Sequence, residues 1–183
     1  DLKKVMDDKE HHYYIDHSGI TKPKIYINDY SESNQNGLDL LSGLIDLTYG
    51  KTDAVTDYGE LDNRTQIPGG HHLEFFMRTD IDYNNADWTP IANGENEGFS
   101  GTLHGDGHYI SNLKGSLFNK LCGSVYNLGV SGSFSTAGIA DTGDGYLENC
   151  WVKTTGTPAE KIHPLFGDPK ATLYSQVVNC YYM

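Results

Sequence analysis

No stretch of this 183-residue chain is apolar for long enough to cross a bilayer as a helix. Basic residues are scarce: 13 Lys and Arg stand against 25 Asp and Glu, a formal charge of −12. That balance excludes the electrostatic footprint of a nucleic-acid binder and argues against an anionic membrane surface as partner. Three cysteines are too few for a disulfide framework. Apolar residues make up 37 %, below the average globular domain, which suits a thin body with much surface per residue. No signal peptide opens the chain, and it begins with Asp rather than Met, so it reads as a processed or trimmed piece.

What the second half does contain is a phrase written three times. Gly123-Ser-Val125-Tyr-Asn127-Leu128-Gly-Val130 returns as Gly145-Tyr-Leu147-Glu-Asn149-Cys150-Trp-Val152, and again, with Ser175 for the glycine, as Val177-Val-Asn179-Cys180-Tyr-Tyr182. Each copy follows a small apolar couplet: Leu117-Phe118, Ile139-Ala140, Leu165-Phe166. The asparagines lie 22 and then 30 positions apart, the longer interval taking up a Pro-, Lys- and Asp-bearing loop after Phe166. A fourth copy is read upstream in Ile110-Ser-Asn112-Leu113. A short unit repeated at this period cannot bury its own apolar face and must stack on its neighbours.

The apolar positions alternate around the asparagine, which is strand periodicity. The region is rich in Gly, Ser, Thr and Asn, and no run is long enough for a stable helix, so helical repeats are excluded. A β-solenoid remains, one short coil per repeat, with coils about 4.8 Å apart and equivalent positions stacked in ladders. Asn112, Asn127, Asn149 and Asn179 are then structural. They either bond amide to amide along the stack or simply tolerate a left-handed corner. Cys150 and Cys180 share a repeat position and are expected to stack in the interior as small apolar groups. A disulfide between them is conceivable but is not the default, because stacked side chains point in parallel. Cys122 is out of that register.

Residues 13–15 and 24–28 read as short strands. Residues 38–47 place Leu38, Leu41, Leu44 and Ile45 at helical spacing, a short amphipathic helix of the kind that covers an open first coil. Residues 50–70 read as a long loop. Alternation begins at Leu73. This divides the chain into an N-terminal extension with short strands (1–37), a capping helix and loop (38–72) and stacked coils (73–183).

Asp80-Ile-Asp82, Trp88-Thr-Pro-Ile91, Phe99-Ser-Gly-Thr-Leu-His-Gly-Asp-Gly-His-Tyr-Ile-Ser-Asn-Leu113, Leu117-Phe118 and Gly123-Ser-Val-Tyr-Asn-Leu128 follow one another in a familiar order. Together they resemble the GLUG-repeat surface proteins of gut Bacteroidetes and Firmicutes, also found beside some secreted IgA-cleaving peptidases. The resemblance covers roughly residues 71–183. It implies a right-handed parallel β-helix on an exported, often lipid-anchored, protein, with adhesion as the usual role. The chain departs from the family in having His104-Gly-Asp106-Gly-His108 where Asp-Gly-Asn-Gly-His is usual, and Asn119 where a glycine follows the first couplet.

His104, Asp106 and His108 alternate, which would let one strand face offer two imidazoles and a carboxylate to a metal. The glycines between them also mark a tight turn that would send the side chains apart. Asp80 and Asp82, with Asp87 nearby, can present carboxylate oxygens to calcium, as can Asp141 and Asp144, although both segments also read as turns. No cofactor is otherwise implied. His11-His12 and His71-His72 are adjacent pairs that point to opposite strand faces. No nucleophile elbow or peptidase signature is visible.

The outward repeat positions hold Tyr126, Glu148, Trp151 and Tyr181. They form a sparse aromatic strip with one acid, unlike the paired carboxylates of a glycoside-cleaving enzyme. Aromatic rings on a rigid face can contact sugars or partner proteins, and they also decorate β-surfaces with no such role. The last coil, Val177–Tyr182, is followed only by Met183, leaving an edge to be covered by residues 13–28, by a neighbouring subunit or by further chain.

The expectation is a non-catalytic, extracellular or cell-surface, all-β protein. Its fold is a single-stranded right-handed parallel β-helix with an N-terminal capping segment containing a short helix. Its role is adhesion, display or extracellular assembly, with a glycan or a host or neighbour-cell surface protein as partner. Two alternatives stand beside it. One is a polysaccharide lyase or glycoside hydrolase. The other is the subunit of a head-to-tail filament joined through the open last coil.

Overall fold

The computed structural model describes residues 13–16, 24–27, 38, 41–42, 45, 73–94, 98–155, 165–167 and 176–183. Within them the chain is all-β, apart from helical backbone at Leu38, Leu41, Ser42 and Ile45. Leu38, Leu41 and Ile45 are buried with the strands in one core, as the three- and four-residue spacing of a helix face requires. The rest of the expected helix over 38–47, and the expected loop over 50–70, lie outside the described residues.

The largest sheet has seven strands: β1 (Tyr13–Asp16), β2 (Lys24–Ile27), β3 (Glu74–Met77), β5 (Thr102–His104), β8 (Ser124–Tyr126), β11 (Tyr146–Glu148) and β13 (Gln176–Val178), side by side in that order. Every pairing is parallel except that of β1 with β2. The reason these segments are strands is visible in their burial. Leu103, Val125 and Leu147 are each buried between two half-exposed neighbours, the two-residue period of an extended chain on a core. Register places Ile25, Phe75, Leu103, Val125, Leu147 and Val177 in a single file across the sheet.

A second sheet of five parallel strands comprises β4 (Ile81–Asp82), β6 (Tyr109–Lys114), β9 (Gly129–Ser133), β12 (Trp151–Thr154) and β14 (Tyr181–Tyr182). Its inward file is Ile81, Ile110, Val130, Val152 and then Tyr182. The third sheet pairs β7 (Phe118–Leu121) with β10 (Ala140–Gly143), and single bridges add Ile91 beside Phe118 and Phe166 beside Ala140. The second residue of each apolar couplet therefore lands in one file. Neighbouring strands come from successive repeats, so each repeat supplies one strand to each of several parallel sheets. The inward files meet in a single core, with Phe99 stacked on Phe118 at 4.8 Å and tilted against Phe75 at 5.8 Å.

Asn127, Asn149 and Asn179 sit between the first and second sheets with φ of 52°, 54° and 49°. Asparagine tolerates this left-handed backbone better than most residues because its short polar side chain can hydrogen-bond locally. The chain therefore turns sharply there, and residues on either side of the asparagine enter different sheets.

Two expectations are corrected. Asn112 does not belong to the corner series. Ile110 pairs with Val130, not with Val125, which pairs instead with Leu103. The turn Gly105–His108 is longer than the asparagine corner and carries Asp106 at φ 53°, while Asn112 occupies a bulge within β6. The second correction concerns the N-terminal strands. β2 pairs with β3, at the opposite side of the sheet from β13, so within one chain this segment covers the first repeat and not the last.

Candidate functional site

Outward residues of the large sheet form a column of rings. Tyr26 meets Phe76 at 5.4 Å, Phe76 meets His104 at 4.4 Å with planes 6° apart, and His104 meets Tyr126 at 5.3 Å and 15°. Tyr146 continues it, 5.5 Å from Tyr126 and tilted by 45°. The Arg78 guanidinium lies 4.2 Å from the Tyr26 ring centroid. At the other end the Tyr146 hydroxyl donates to Glu148 Oε2 at 2.7 Å, and this bond to a carboxylate pushes the Tyr146 phenol above its ordinary value. Tyr146 pairs with Ser124 and leans onto Tyr126 from two positions away. From Tyr26 to Tyr126 the column follows from register: residues in equivalent outward positions stand about 4.8 Å apart, close to ring-stacking distance. Its consequence is that the near-parallel rings turn their faces towards one another, so little ring face is left for a ligand.

The five-stranded sheet is different. Its outward positions in one file are Tyr109, Gly129, Trp151 and Tyr181. Gly129 has no side chain, and the Trp151 indole fills its place: a Cβ there would lie 2.1 Å from Trp151 Cζ2 and 2.2 Å from Cε2. The indole thus reaches across its neighbouring strand towards Tyr109, with ring centroids 6.3 Å apart. Tyr109 is 41 % exposed and Tyr181 63 %, with Trp151 half-buried between them.

The four outward residues singled out in sequence are therefore divided. Tyr126 and Glu148 belong to the ring column, and Trp151 and Tyr181 belong to the other sheet, on the far side of the asparagine corner. Sequence reasoning missed Tyr109, Tyr26, Phe76 and Tyr146. Tyr109 was legible, since it precedes Ile110 as Trp151 precedes Val152, but reading Asn112 as a corner residue displaced the register.

The candidate metal ligands are also dispersed. His104 is held between Phe76 and Tyr126 in the ring column. Asp106 is exposed at the tip of the turn. His108 Nδ1 is 3.0 Å from Asp80 Oδ1, which also accepts the Tyr109 amide at 3.1 Å. Asp82 accepts from Asn112 Nδ2 at 2.7 Å and from the Asn84 amide at 2.8 Å, bonds that hold its carboxyl below the usual range. Asp141 takes the hydroxyls of Ser116 and Thr136, and Asp87 lies 3.7 Å from Lys114. These carboxylates tie turns and strands together. Among the described residues no group of three or more His, Cys, Asp or Glu is placed to hold a metal ion.

The amides of the corner series do join. Asn149 Nδ2 donates to Asn127 Oδ1 at 3.1 Å, and Asn179 Nδ2 to Asn149 Oδ1 at 3.3 Å. Below them Cys150 and Cys180 stack as free thiols, with the Cys150 amide 3.4 Å from Cys180 Sγ. Contact with Cys150 holds the Cys180 thiol below the ordinary range, while that neighbour and burial push Cys150 up.

No family model matches the chain. No solved structure matches it either. Among curated proteins it is similar to Halomucin of Haloquadratum walsbyi, at 27 % identity over 154 positions covering 71 % of this chain. The chain spans about 2 % of the length of that protein. No helix among the described residues is long and apolar enough to cross a membrane.

Proposed function

We propose that this chain is a section of an extracellular, cell-surface protein, built as a right-handed parallel β-helix of the GLUG-repeat kind and serving adhesion and display rather than catalysis. The observation that carries the reading is the in-register stacking of repeats into several parallel sheets around one core, with left-handed asparagines linked amide to amide at the corner. Such a stack is rigid, extends by adding repeats and presents its outward residues in files, which suits display. The partial likeness to Halomucin, whose name is that of a mucin, supports an extracellular setting. The acidic charge of −12 supports solubility there and a role that does not require anionic partners.

The outward chemistry supports binding over bond cleavage. Glu148 is occupied by the Tyr146 hydroxyl, and the outward file of Tyr109, Gly129, Trp151 and Tyr181 carries no carboxylate. Glycoside hydrolysis in its usual form needs two carboxyls flanking the bond. The test is where the protein resides. An antibody raised against residues 73–183 should label intact cells of the producing organism, and external protease should remove the signal. Labelling only after permeabilisation would overturn the surface reading. Release of reducing or unsaturated sugar ends from polysaccharide by the purified chain would overturn the non-catalytic one.

A further inference from the structure

We infer that the outer face of the five-stranded sheet is a platform for a neutral glycan lying across the strands, with the Trp151 indole as its central contact. The inference rests on the surface reading above and names the ligand class of this face.

Four observations lead to it. First, Trp151 is seated by the absence of a neighbour's side chain. Gly129 leaves a gap in the outward file, and the indole occupies it, as the 2.1 Å approach to a would-be Cβ shows. An aromatic side chain that crosses one strand and leans towards Tyr109 makes the file continuous over four strands, about 14 Å at ordinary strand spacing. Second, the rings at its two ends are open: Tyr109 and Tyr181 are 41 % and 63 % exposed. Third, the other aromatic column is a poor competitor. Phe76, His104 and Tyr126 lie nearly parallel and spend their faces on one another. Fourth, the chemistry beside the file is polar, and the carboxylate on its outermost strand, Asp82 beside Ser111, is already engaged by Asn112 and the Asn84 amide. Two positions along the same strands, on the same face, stand Ser131 and the exposed Lys153, which are paired in register and can donate to hydroxyl oxygens.

An apolar ring face flanked by hydroxyl and ammonium donors suits a sugar, which presents C–H on one side and hydroxyls at its rim. Charge decides the class. The chain carries −12, and the Tyr109 end is bordered by the Asp80 carboxylate, 3.0 Å from His108 Nδ1, rather than by a cationic patch. A polyanion would be repelled by the net charge and would meet, among the described residues beside the file, the ammonium of Lys153. A neutral glycan pays no such penalty.

Affinity electrophoresis of the chain through gels containing soluble mixed-linkage β-glucan, mannan or polygalacturonate tests this. Retardation by a neutral polysaccharide is expected. Trp151→Ala should weaken it about tenfold or more, as removal of a central aromatic contact does. Tyr181→Ala, at an exposed position that costs the fold little, should weaken it several-fold, and Tyr126→Ala should leave it unchanged. The chain has two tryptophans, and Trp88 Nε1 is engaged by the Ser116 carbonyl at 2.8 Å. A change in emission on adding glycan, lost in Trp151→Ala, would therefore report contact at Trp151. Three outcomes would overturn the inference: no retardation by either neutral probe, preferential binding of polygalacturonate, or full binding by both Trp151→Ala and Tyr181→Ala. Each can occur with the protein still on the cell surface, so the two readings fail separately.

Discussion

Asn149 sits in the middle of the corner series, and replacing it separates two contributions. Its φ of 54° favours a residue that accepts left-handed backbone, and its amide both donates to Asn127 and accepts from Asn179. Asn149→Ala loses both. A non-glycine residue in the left-handed region costs about 1 kcal/mol. Two solvent-exposed amide bonds contribute about 0.5 kcal/mol each. The alanine variant should thus lose about 2 kcal/mol, a fall in melting temperature of about 4–8 °C for a chain of this size. Asn149→Gly keeps the backbone freedom and loses only the amide bonds, so its loss should be about half as great. Urea unfolding followed by far-ultraviolet circular dichroism, with unchanged slopes, measures both. A glycine variant as stable as the parent would show that the amide ladder contributes nothing and that the asparagine is present for its backbone alone. A glycine variant as unstable as the alanine one would show that the left-handed turn is not the constraint.

Three further outcomes are expected. A Cβ at Gly132 would lie 2.0 Å from the Leu113 carbonyl oxygen and 2.8 Å from its amide nitrogen, backbone atoms that no rotamer change can move. Gly132→Ala should therefore part β6 from β9 and cost about 3 kcal/mol, and a melting temperature within 1 °C of the parent would refute the contact. Asn112→Gly removes the bond that most lowers the Asp82 carboxyl while sparing the left-handed backbone at φ 56°. The contribution of a depressed carboxyl is complete above its unfolded value, near pH 4, and is lost as pH falls through the folded value. The stability gap between parent and variant should accordingly be widest above about pH 4 and close below it, whereas a gap that widens on acidification would reverse the assignment. Among the thiols, Cys180 is half-buried and supported by Cys150, while the bond with Cys180 and then burial raise Cys150, and burial raises Cys122. Iodoacetamide at neutral pH should modify Cys180 first by peptide mapping, and earlier modification of Cys150 would contradict the stacking order.

Much of the architecture was legible because it is written locally. Val125, Leu147 and Val177 alternate with polar neighbours, and their repetition sets the register of β8, β11 and β13 without reference to anything distant. The pairing of Cys150 with Cys180 and of Asn149 with Asn127 followed from the same rule, that equivalent positions stack. The reading failed where a repeat changes length. In the first repeat the Gly105–His108 turn is longer than the asparagine corner, so counting from Asn112 misplaced Ile110 and hid Tyr109. The destination of β2 was likewise not legible, because two sheet edges were available and short strands of similar pattern fit either.

The sequence by itself determined that this protein is all-β, that its repeats stack in parallel, and which residues face the core, because alternation and repetition are properties of neighbouring positions. Only the tertiary structure decided how the outward residues are grouped. A left-handed asparagine turns the chain between Glu148 and Trp151, so residues three positions apart end on different sheets. Stacking draws His104 away from the other candidate ligands, and the bare Gly129 draws Trp151 across to Tyr109. These outcomes depend on what lies one repeat away, which no local pattern records.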